Sequence, residues 1–278
     1  MLLKVAIIVL IIYIIVVTRS RIRLPNPALQ ATVDVLQAAT LKDEHVMQMA
    51  RKYIDYADAQ NALLPVDDPY AERLDRLTSR YVAVNGVPLN FRVYKTAQIN
   101  AFATADGSIR IFSGLMDLMN DDELMAIVGH EMGHIRNSDT LSAMRKAYLT
   151  SAARNALGAT GGVIGSLSGS QWGSLAEGGA LGALSASQLG SIAEQYASAQ
   201  FSQGQETLAD DFSFGFLQRN GYDPYAMASA LEKIHRTSQR KDGQADAILQ
   251  LFSTHPDSFS RAARMRAKAD AAKALPAA

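Results

Sequence analysis

The residues best suited to chemistry are His130, Glu131 and His134, which form a His-Glu-x-x-His array. In an α-helix, side chains four residues apart lie about 40° apart around the axis and about 6 Å apart along it. The two imidazoles therefore share one face, at a separation that a single tetrahedral zinc ion can bridge. The carboxylate of Glu131 would lie beside this metal, where it can take a proton from a water molecule. The array predicts a zinc hydrolase; the alternative is a solvated amphipathic helix that carries two histidines.

The flanking sequence predicts that the array lies in a partly buried helix. Asn120 is a candidate N-cap and Glu123 follows three residues later, and the first turn carries the negative charge that a helix dipole favours. Apolar residues then recur at helical spacing on the face that holds Glu131, namely Leu124, Ile127, Val128 and Ile135. An ionisable residue on a buried face needs a physical reason, and a metal site supplies one.

A zinc hydrolase of this kind keeps three protein ligands and one open position, so a third ligand is required. One solution places a third histidine soon after the array, but the positions three and six after His134 are Asn137 and Thr140. A second solution takes a glutamate from another helix, where Glu206 and Asp210 share one face. Glu206 would then bind the metal while Asp210 accepts the N–H of a ligand histidine. Spacing alone leaves open that both acids lie on a solvated face.

Further motifs in the same order make the chain resemble the gluzincin membrane proteases. This family includes the CAAX prenyl endopeptidases, HtpX and the small bacterial proteases of the LoiP (YggG) type, which the chain resembles most. The resemblance covers roughly residues 60–270, and its further motifs are Asn100-Ala101-Phe102-Ala103, Ser113-Gly114-Leu115-Met116-Asp117, Phe201-Ser202-Gln203, Glu206-x-x-Ala209-Asp210 and Thr254-His255-Pro256 with Arg261. It implies a zinc metalloendopeptidase with one zinc ion per chain and with Glu206 as the third ligand.

The resemblance also implies roles for Asn100, His255 and Arg261. The family strand that matches Asn100 borders the cleft, so Asn100 would help to hold the carbonyl of a peptide added to that edge by main-chain hydrogen bonds. His255 matches a histidine thought to stabilise the oxyanion, which is a task for a donor aimed at developing negative charge. The alternative for His255 is a residue that caps a helix or packs in the core before Pro256. Arg261 is expected to buttress the site without taking part in the reaction.

The predicted fold class is α+β: a mostly helical zincin-like metallopeptidase domain with a small β-sheet beside the helix of the zinc array, plus an N-terminal anchor helix. Alternation predicts strands at Leu89–Tyr94, around Asn100 and at Ser108–Phe112. The catalytic domain is assigned to residues 25–278. Beyond Asp257 the basic residues predict a solvated helix that carries Arg261, Arg264, Arg266 and Lys268.

Composition limits the other classes of function. The 278 residues, 48% of them apolar, can bury one substantial domain. Lys+Arg and Asp+Glu number 27 each, so the chain offers no basic field to attract nucleic acid. It contains no Cys, which excludes disulfides, a cysteine nucleophile and a lipidated N-terminal cysteine.

Residues 1–24 predict a membrane anchor. An uninterrupted apolar run at residues 5–17 follows Lys4, and it is short for a spanning helix unless the preceding leucines extend it. No Ala-x-Ala-like cleavage site follows, which favours an uncleaved anchor over a removed signal peptide. Arginines at positions 19, 21 and 23 favour a cytoplasmic catalytic domain by charge bias, whereas the resemblance favours the periplasm. We predict a bacterial envelope protein with a periplasmic catalytic domain, and the cytoplasmic orientation is the alternative.

Residues 157–192 are rich in Gly, Ser and Ala and carry Glu177 as their single charge. Each interior Gly costs a helix about 1 kcal/mol relative to Ala, so helices here would be weak. Three interpretations stay open: close helix packing through small residues, a mobile linker, or a lid that covers the cleft at rest and moves aside for unfolded substrate.

The function expected from these observations is a zinc metalloendopeptidase that degrades damaged or misfolded envelope proteins. Its partners would be unfolded or membrane-associated polypeptides and the membrane itself, and this substrate class follows from the resemblance alone. The alternative is an assembly factor or chaperone for envelope proteins with secondary proteolysis. A pure binding module is disfavoured, because it would have no use for Glu131.

Overall fold

The computed structural model of the protein describes residues 41–160, 186–240, 248, 251 and 254–274. The expected anchor at residues 1–24 and most of the segment at 157–192 lie outside the described residues. Within the described ranges, no helix is both long and apolar enough to cross a membrane.

The described residues form a mostly helical α+β fold with two small sheets, as the sequence predicts. The helices are α1 (Asp43–Gln60), α2 (Pro69–Thr78), α3 (Ser113–Leu118), α4 (Asp121–Arg136), α5 (Asp139–Thr160), α6 (Ala186–Ala197), α7 (Gln203–Arg219), α8 (Ala226–Ser238) and α9 (Ser258–Ala274). The strands are β1 (Ala83–Val84), β2 (Val87–Pro88), β3 (Asn90–Tyr94), β4 (Ala101–Ala103) and β5 (Ser108–Phe112).

The larger sheet has the strand order β3-β5-β4, in which β3 is parallel and β4 antiparallel to β5. Strand β5 has the bounds predicted from the sequence and is buried along its whole length. The turn before it requires a glycine, because a Cβ on Gly107 (φ 89°) would stand 1.9 Å from the carbonyl oxygen of Pro88. Asn100 immediately precedes β4, and its carbonyl accepts the Phe112 N–H at 3.1 Å. Edge strand β4 packs along α4, which places the sheet beside the predicted zinc helix.

Helix α4 begins at the predicted cap. The side-chain oxygen of Asn120 accepts the Glu123 N–H at 2.8 Å, and the Asn120 N–H donates to the Glu123 carboxylate at 2.9 Å. Glu123 also accepts from Lys233 of α8 at 2.6 Å, so the start of α4 is tied to a second helix. Packing against α7 and α8 then buries α4 from Glu123 to Ile135.

The helices form two apolar cores. One joins α4 to the larger sheet and to α7, α8 and α9, and the other joins α1, α5 and α6 through residues that include Met49, Tyr53, Met144, Tyr148 and Ile192.

The prediction of a solvated helix after Asp257 is wrong for one face of α9. Arg261, Ala262, Met265 and Ala269 are buried there. The sequence hides this face because its apolar members are small or flexible, and because Arg261 is paired with buried acids.

Candidate metal centre

Helix α4 brings the two array histidines together, as their spacing requires. The Nε2 atoms of His130 and His134 face each other at 3.0 Å, and both rings are almost fully buried. The opposite nitrogen of each ring faces a carboxylate: Nδ1 of His130 lies 3.0 Å from Asp210 Oδ1, and Nδ1 of His134 lies 3.0 Å from Asp139 Oδ2. A carboxylate at Nδ1 holds the proton on that nitrogen and leaves the Nε2 lone pair free for a metal.

Helix α7 and the turn before α9 complete the cluster. Glu206 Oε1 lies 3.3 Å from Nε2 of His134, and Glu206 Oε2 lies 3.5 Å from Nε2 of His130. Nδ1 of His255 stands 3.0 Å from Glu206 Oε1 and 3.3 Å from Nε2 of His130. One ligand atom from each of the four residues therefore lies within 4.8 Å of the others.

These separations fit a zinc ion. Nitrogen ligands about 2.0–2.1 Å from a tetrahedral zinc stand about 3.3 Å from one another. Five of the distances between nitrogen and oxygen atoms of these residues lie between 3.0 and 3.5 Å, close to that value. With Nδ1 of both array histidines protonated, the two Nε2 lone pairs lie close enough to repel each other unless a proton or a metal ion lies between them.

Arg261 supports the acids behind the ligands. Its Nε and Nη2 donate to Asp210 at 3.0 and 2.7 Å, and its Nη1 contacts Glu206 Oε2. Arg264 adds a second contact to Asp210 Oδ2 at 3.1 Å. Arg261 therefore contacts the acids behind the clustered donors.

A cavity of about 50 Å³ opens beside Glu131. Its walls are mostly apolar and include the rings of Tyr53, Phe102, Tyr196 and Phe201. The Tyr53 and Tyr196 rings pack with centroids 5.2 Å apart, and the Tyr196 hydroxyl donates to the Ala103 carbonyl of β4 at 2.6 Å. The cavity therefore lies between the edge strand and the acid expected to move a proton.

Asn100 and His255 line the same cavity. Asn100 is buried, and its side-chain oxygen accepts the N–H of Ala101 at 2.9 Å. Nε2 of His255 lies 3.7 Å from Oε1 of Glu131. The structure thus brings together every site residue selected from the sequence.

Comparison with known proteins decides the family. Residues 70–269 match the family described as peptidase family M48. The chain belongs to peptidase family M48. This M48 chain is 34% identical to the metalloprotease LoiP of Escherichia coli K12 over 242 residues, 87% of each chain. It is 32% identical to the metalloprotease YcaL of the same organism, across 87% of this chain and 86% of YcaL. A β-barrel assembly-enhancing protease of Yersinia pestis is 29% identical across 92% of this chain and 50% of that protein.

The family and the donor cluster together establish the class of enzyme. M48 peptidases are zinc-dependent metalloproteases, and this M48 chain carries four donors placed to hold a metal ion. The protein is therefore a zinc metalloprotease.

The buried imidazoles of the M48 site differ in their affinity for a proton. Burial lowers the pKa of His130, against the opposing effects of Glu206 and Asp210. Burial also disfavours the charged form of His134, but hydrogen bonds with Asp139 and Glu206 outweigh it and raise the pKa of His134 to about 9. The acid at each ring therefore adds negative potential around the donors, which favours a bound cation.

Two of the acids of α7, Glu206 and Asp210, have lowered pKa values, which favour their ionised forms. Burial alone would raise the pKa of Glu206, but His255 and His130 hold the pKa of that carboxyl well below its usual range. Burial opposes the charge on Asp210 in the same way, and hydrogen bonds from His130 and Arg261 lower its pKa in turn. Both groups are thus ready to act as acceptors without first losing a proton.

Three residues of the M48 site receive no role from the sequence, although Phe201 belongs to the Phe201-Ser202-Gln203 motif. Asp139 faces His134, Phe201 stacks on the His134 ring with centroids 4.0 Å apart, and Tyr53 lines the cavity from outside residues 70–269. Asp139 offered one local signal, since it opens a new helix five residues after His134, beyond a break at Ser138 (φ 62°). The positions of Phe201 and Tyr53 have no local signal, because they depend on packing between distant segments.

Proposed function

We propose that this zinc metalloprotease is an endopeptidase that hydrolyses unfolded or damaged proteins of the bacterial cell envelope. The observation that carries the proposal is the meeting of a four-donor cluster, the buried acid Glu131 and an apolar cavity in one place.

The roles follow from the geometry. His130, His134 and Glu206 would hold the zinc ion, with Asp210 fixing the Nδ1 proton of His130. A bound zinc ion would polarise the scissile carbonyl and lower the pKa of a water molecule towards about 7. Glu131 takes the proton of the attacking water and passes it to the leaving nitrogen.

His255 is proposed to stabilise the oxyanion. In this structure Nδ1 of His255 lies 3.0 Å from Glu206 Oε1, among the clustered donors. A catalytic zinc site needs one coordination position open to substrate. A substrate carbonyl that enters this position displaces the nitrogen and stands beside the imidazole. The ring can then donate to the oxygen as negative charge develops.

Asn100 is proposed to help to hold the substrate beside β4. Its buried carboxamide lies at the start of an edge strand that lines the cavity, where an extended peptide can add by main-chain hydrogen bonds. The scissile carbonyl would then lie between this strand and Glu131.

The cavity supports unfolded polypeptides as the substrate class. Its aromatic walls fit an apolar side chain next to the scissile bond, and apolar side chains are mostly buried in folded proteins. A requirement for such a side chain therefore selects chains that have lost their fold. This is the selectivity that a quality-control protease needs.

The comparisons and the N-terminal sequence support a location in the cell envelope, and one comparison supports a role in assembly. One relative is named a β-barrel assembly-enhancing protease, which supports work on envelope proteins and keeps an assembly factor as the second candidate. The apolar run at residues 5–17 supports membrane attachment. The periplasmic placement of the catalytic domain rests on the resemblance to LoiP-type proteases alone, and the charge bias keeps the cytoplasmic orientation as the alternative.

The test is digestion of one protein in native and in permanently unfolded form, with and without a zinc chelator. We expect zinc-dependent cleavage of the unfolded form only, with cleavage sites beside bulky apolar residues. Ala143→Phe, which narrows the cavity, should shift cleavage towards smaller side chains. Equal cleavage of both forms, or sites without apolar preference, would overturn the substrate proposal.

A separate measurement addresses the second candidate. Protection of an unfolded outer-membrane protein from aggregation is compared between the wild-type chain and Glu131→Gln. Equal protection by both, without chelator-sensitive cleavage, would favour an assembly factor.

A further inference from the structure

Gln205 forms hydrogen bonds with two residues, Ser202 and Asp139. Its side-chain oxygen accepts the Ser202 N–H at 2.9 Å, and the Ser202 hydroxyl accepts the Gln205 N–H at 3.3 Å, which closes the capping box that starts α7. Its side-chain Nε2 donates to Asp139 Oδ1 at 2.8 Å. The cap of the helix that carries Glu206 is thus joined to the acid that faces His134.

Both oxygens of Asp139 are held by these contacts. Its Oδ2 accepts the Nδ1–H of His134 at 3.0 Å while its Oδ1 accepts from Gln205, and the residue is 6% exposed. A carboxylate held at both oxygens has little freedom to rotate, so its direction sets the plane of the His134 ring. The ring plane in turn sets where the Nε2 lone pair points.

The contact with Asp139 depends on residue 205 being Gln and not Glu. A capping box accepts Glu or Gln equally at this position, because the cap uses only a side-chain oxygen. The contact with Asp139 needs an N–H donor, which Gln has and Glu lacks. A glutamate here would keep the cap and place a second carboxylate against Asp139.

We propose that Gln205 and Asp139 are positioning residues that tie the α7 cap to the His134 ring and so fix the geometry of the zinc site. One hydrogen-bonded chain then runs from the backbone N–H of Ser202 through the Gln205 side chain and Asp139 to His134. Gln205 immediately precedes Glu206 in the sequence. Helices α4 and α7 are thereby held in one register at the metal. The inference rests on the proposed ligand roles of His134 and Glu206.

The first test compares Gln205→Glu with Ser202→Ala by zinc titration of metal-free protein against a chromophoric chelator. Gln205→Glu should bind zinc about 10–100-fold more weakly, as loss of a group that orients a ligand does. Ser202→Ala is the matched control, because it removes the hydroxyl of the cap and leaves the Gln205–Asp139 contact. Its zinc affinity should stay within about twofold of wild type. Equal weakening in both variants would assign the effect to the helix cap and overturn the proposal.

A double-mutant cycle with Asp139→Asn isolates the contact itself. In the Asp139→Asn background the like charge is gone, so adding Gln205→Glu should weaken zinc binding much less than it does in wild type. Additive losses would overturn the proposal. Cobalt substitution gives an independent readout, since altered His134 geometry should shift the visible absorption bands of Gln205→Glu and leave those of Ser202→Ala unchanged.

Two controls distinguish a failure of the positioning proposal from a failure of the proposed ligand assignment. Metal-free Gln205→Glu should keep the helix content of wild type and unfold in a single cooperative transition, because the cap remains. His134→Ala should lose zinc altogether. Tight zinc binding by His134→Ala would mean that the ligand assignment has failed, whereas its loss together with normal binding by Gln205→Glu would mean that only the positioning proposal has failed.

Discussion

Gly133 lies directly against Ala209: a Cβ on Gly133 would stand 2.9 Å from Cα of Ala209. The first residue lies beside His134 on α4, and the second lies beside Asp210 on α7. The two helices therefore approach at the level of the metal donors. A side chain at position 133 would separate the histidines from Glu206.

Gly133→Ala should consequently weaken both the fold and the zinc site. Overpacking of a close helix contact costs about 1–3 kcal/mol, and we expect a loss of that size in the free energy of unfolding, with weaker zinc binding. Gly204→Ala is the matched control, because the nearest atom to its new Cβ, Ser202 Oγ, is 3.9 Å away. Chemical denaturation and zinc titration of both variants measure the effect, and Gly133→Ala with wild-type values in both would contradict it.

Glu131→Gln should retain zinc and lose peptidase activity by about 10²–10⁴-fold, because the amide cannot accept the proton of the attacking water. Glu131 is buried beside the cavity and is not among the four clustered donors. Zinc content by metal analysis and turnover of a quenched peptide are measured on one preparation. Substantial turnover, with contaminating protease excluded by a mock purification, would remove Glu131 from its proposed role.

Glu206→Ala and Asp210→Ala should differ in zinc affinity, because Glu206 is the proposed ligand and Asp210 the proposed acceptor of a ligand's N–H. Glu206→Ala should lose zinc and activity together, whereas Asp210→Ala should bind zinc about 10–100-fold more weakly. The expected difference follows from position, since Glu206 faces both Nε2 atoms while Asp210 faces the Nδ1 of His130. Full and tight zinc occupancy in Glu206→Ala would make His255 the third ligand instead.

His255→Ala distinguishes oxyanion stabilisation from metal binding. As an oxyanion donor, His255 should contribute about 10²–10³-fold to kcat and little to zinc affinity. Its Nδ1 also stands within the donor cluster, so zinc affinity must be measured beside kcat. Zinc binding weakened more than tenfold in His255→Ala would identify a ligand and contradict the expected role.

The ion pair between half-buried Asp58 and buried Arg110 should make stability depend on acid pH. Burial opposes the charge on Asp58, but hydrogen bonds from Arg110 and Tyr94 lower its pKa below the usual value. A lowered folded-state pKa means that the contribution of Asp58 is fully present above the unfolded pKa of about 3.9 and is lost as pH falls through the folded value.

Asp58→Asn in the metal-free protein tests this dependence. The substitution should cost about 1–3 kcal/mol near neutral pH, because it leaves the buried Arg110 charge without its partner. The difference from wild type should stay constant above about pH 5 and shrink below about pH 4. Urea denaturation at several pH values provides the measurement, and a difference that grows on acidification would reverse the predicted sign.

Local rules account for the parts of the site that the sequence predicted well. The Asn120–Glu123 cap, the common face of His130 and His134, and the bounds of β5 all follow from residues within one element. Helix and strand periodicities act over a few residues, so the printed sequence contains the information that they need.

The remaining features depend on segments far apart in the chain. The meeting of His255 with Glu206, the Gln205–Asp139 contact and the entry of Tyr53 into the cavity join residues on different elements. Burial of Arg261 likewise requires the acids of α7, although its own helix reads as solvated. Such contacts are selected by the packing of whole faces, a long-range property that no local pattern of charge or hydrophobicity records. The linear order of residues could therefore identify the chemistry, whereas tertiary packing decided which groups contact the clustered donors and which residues line the cavity beside them.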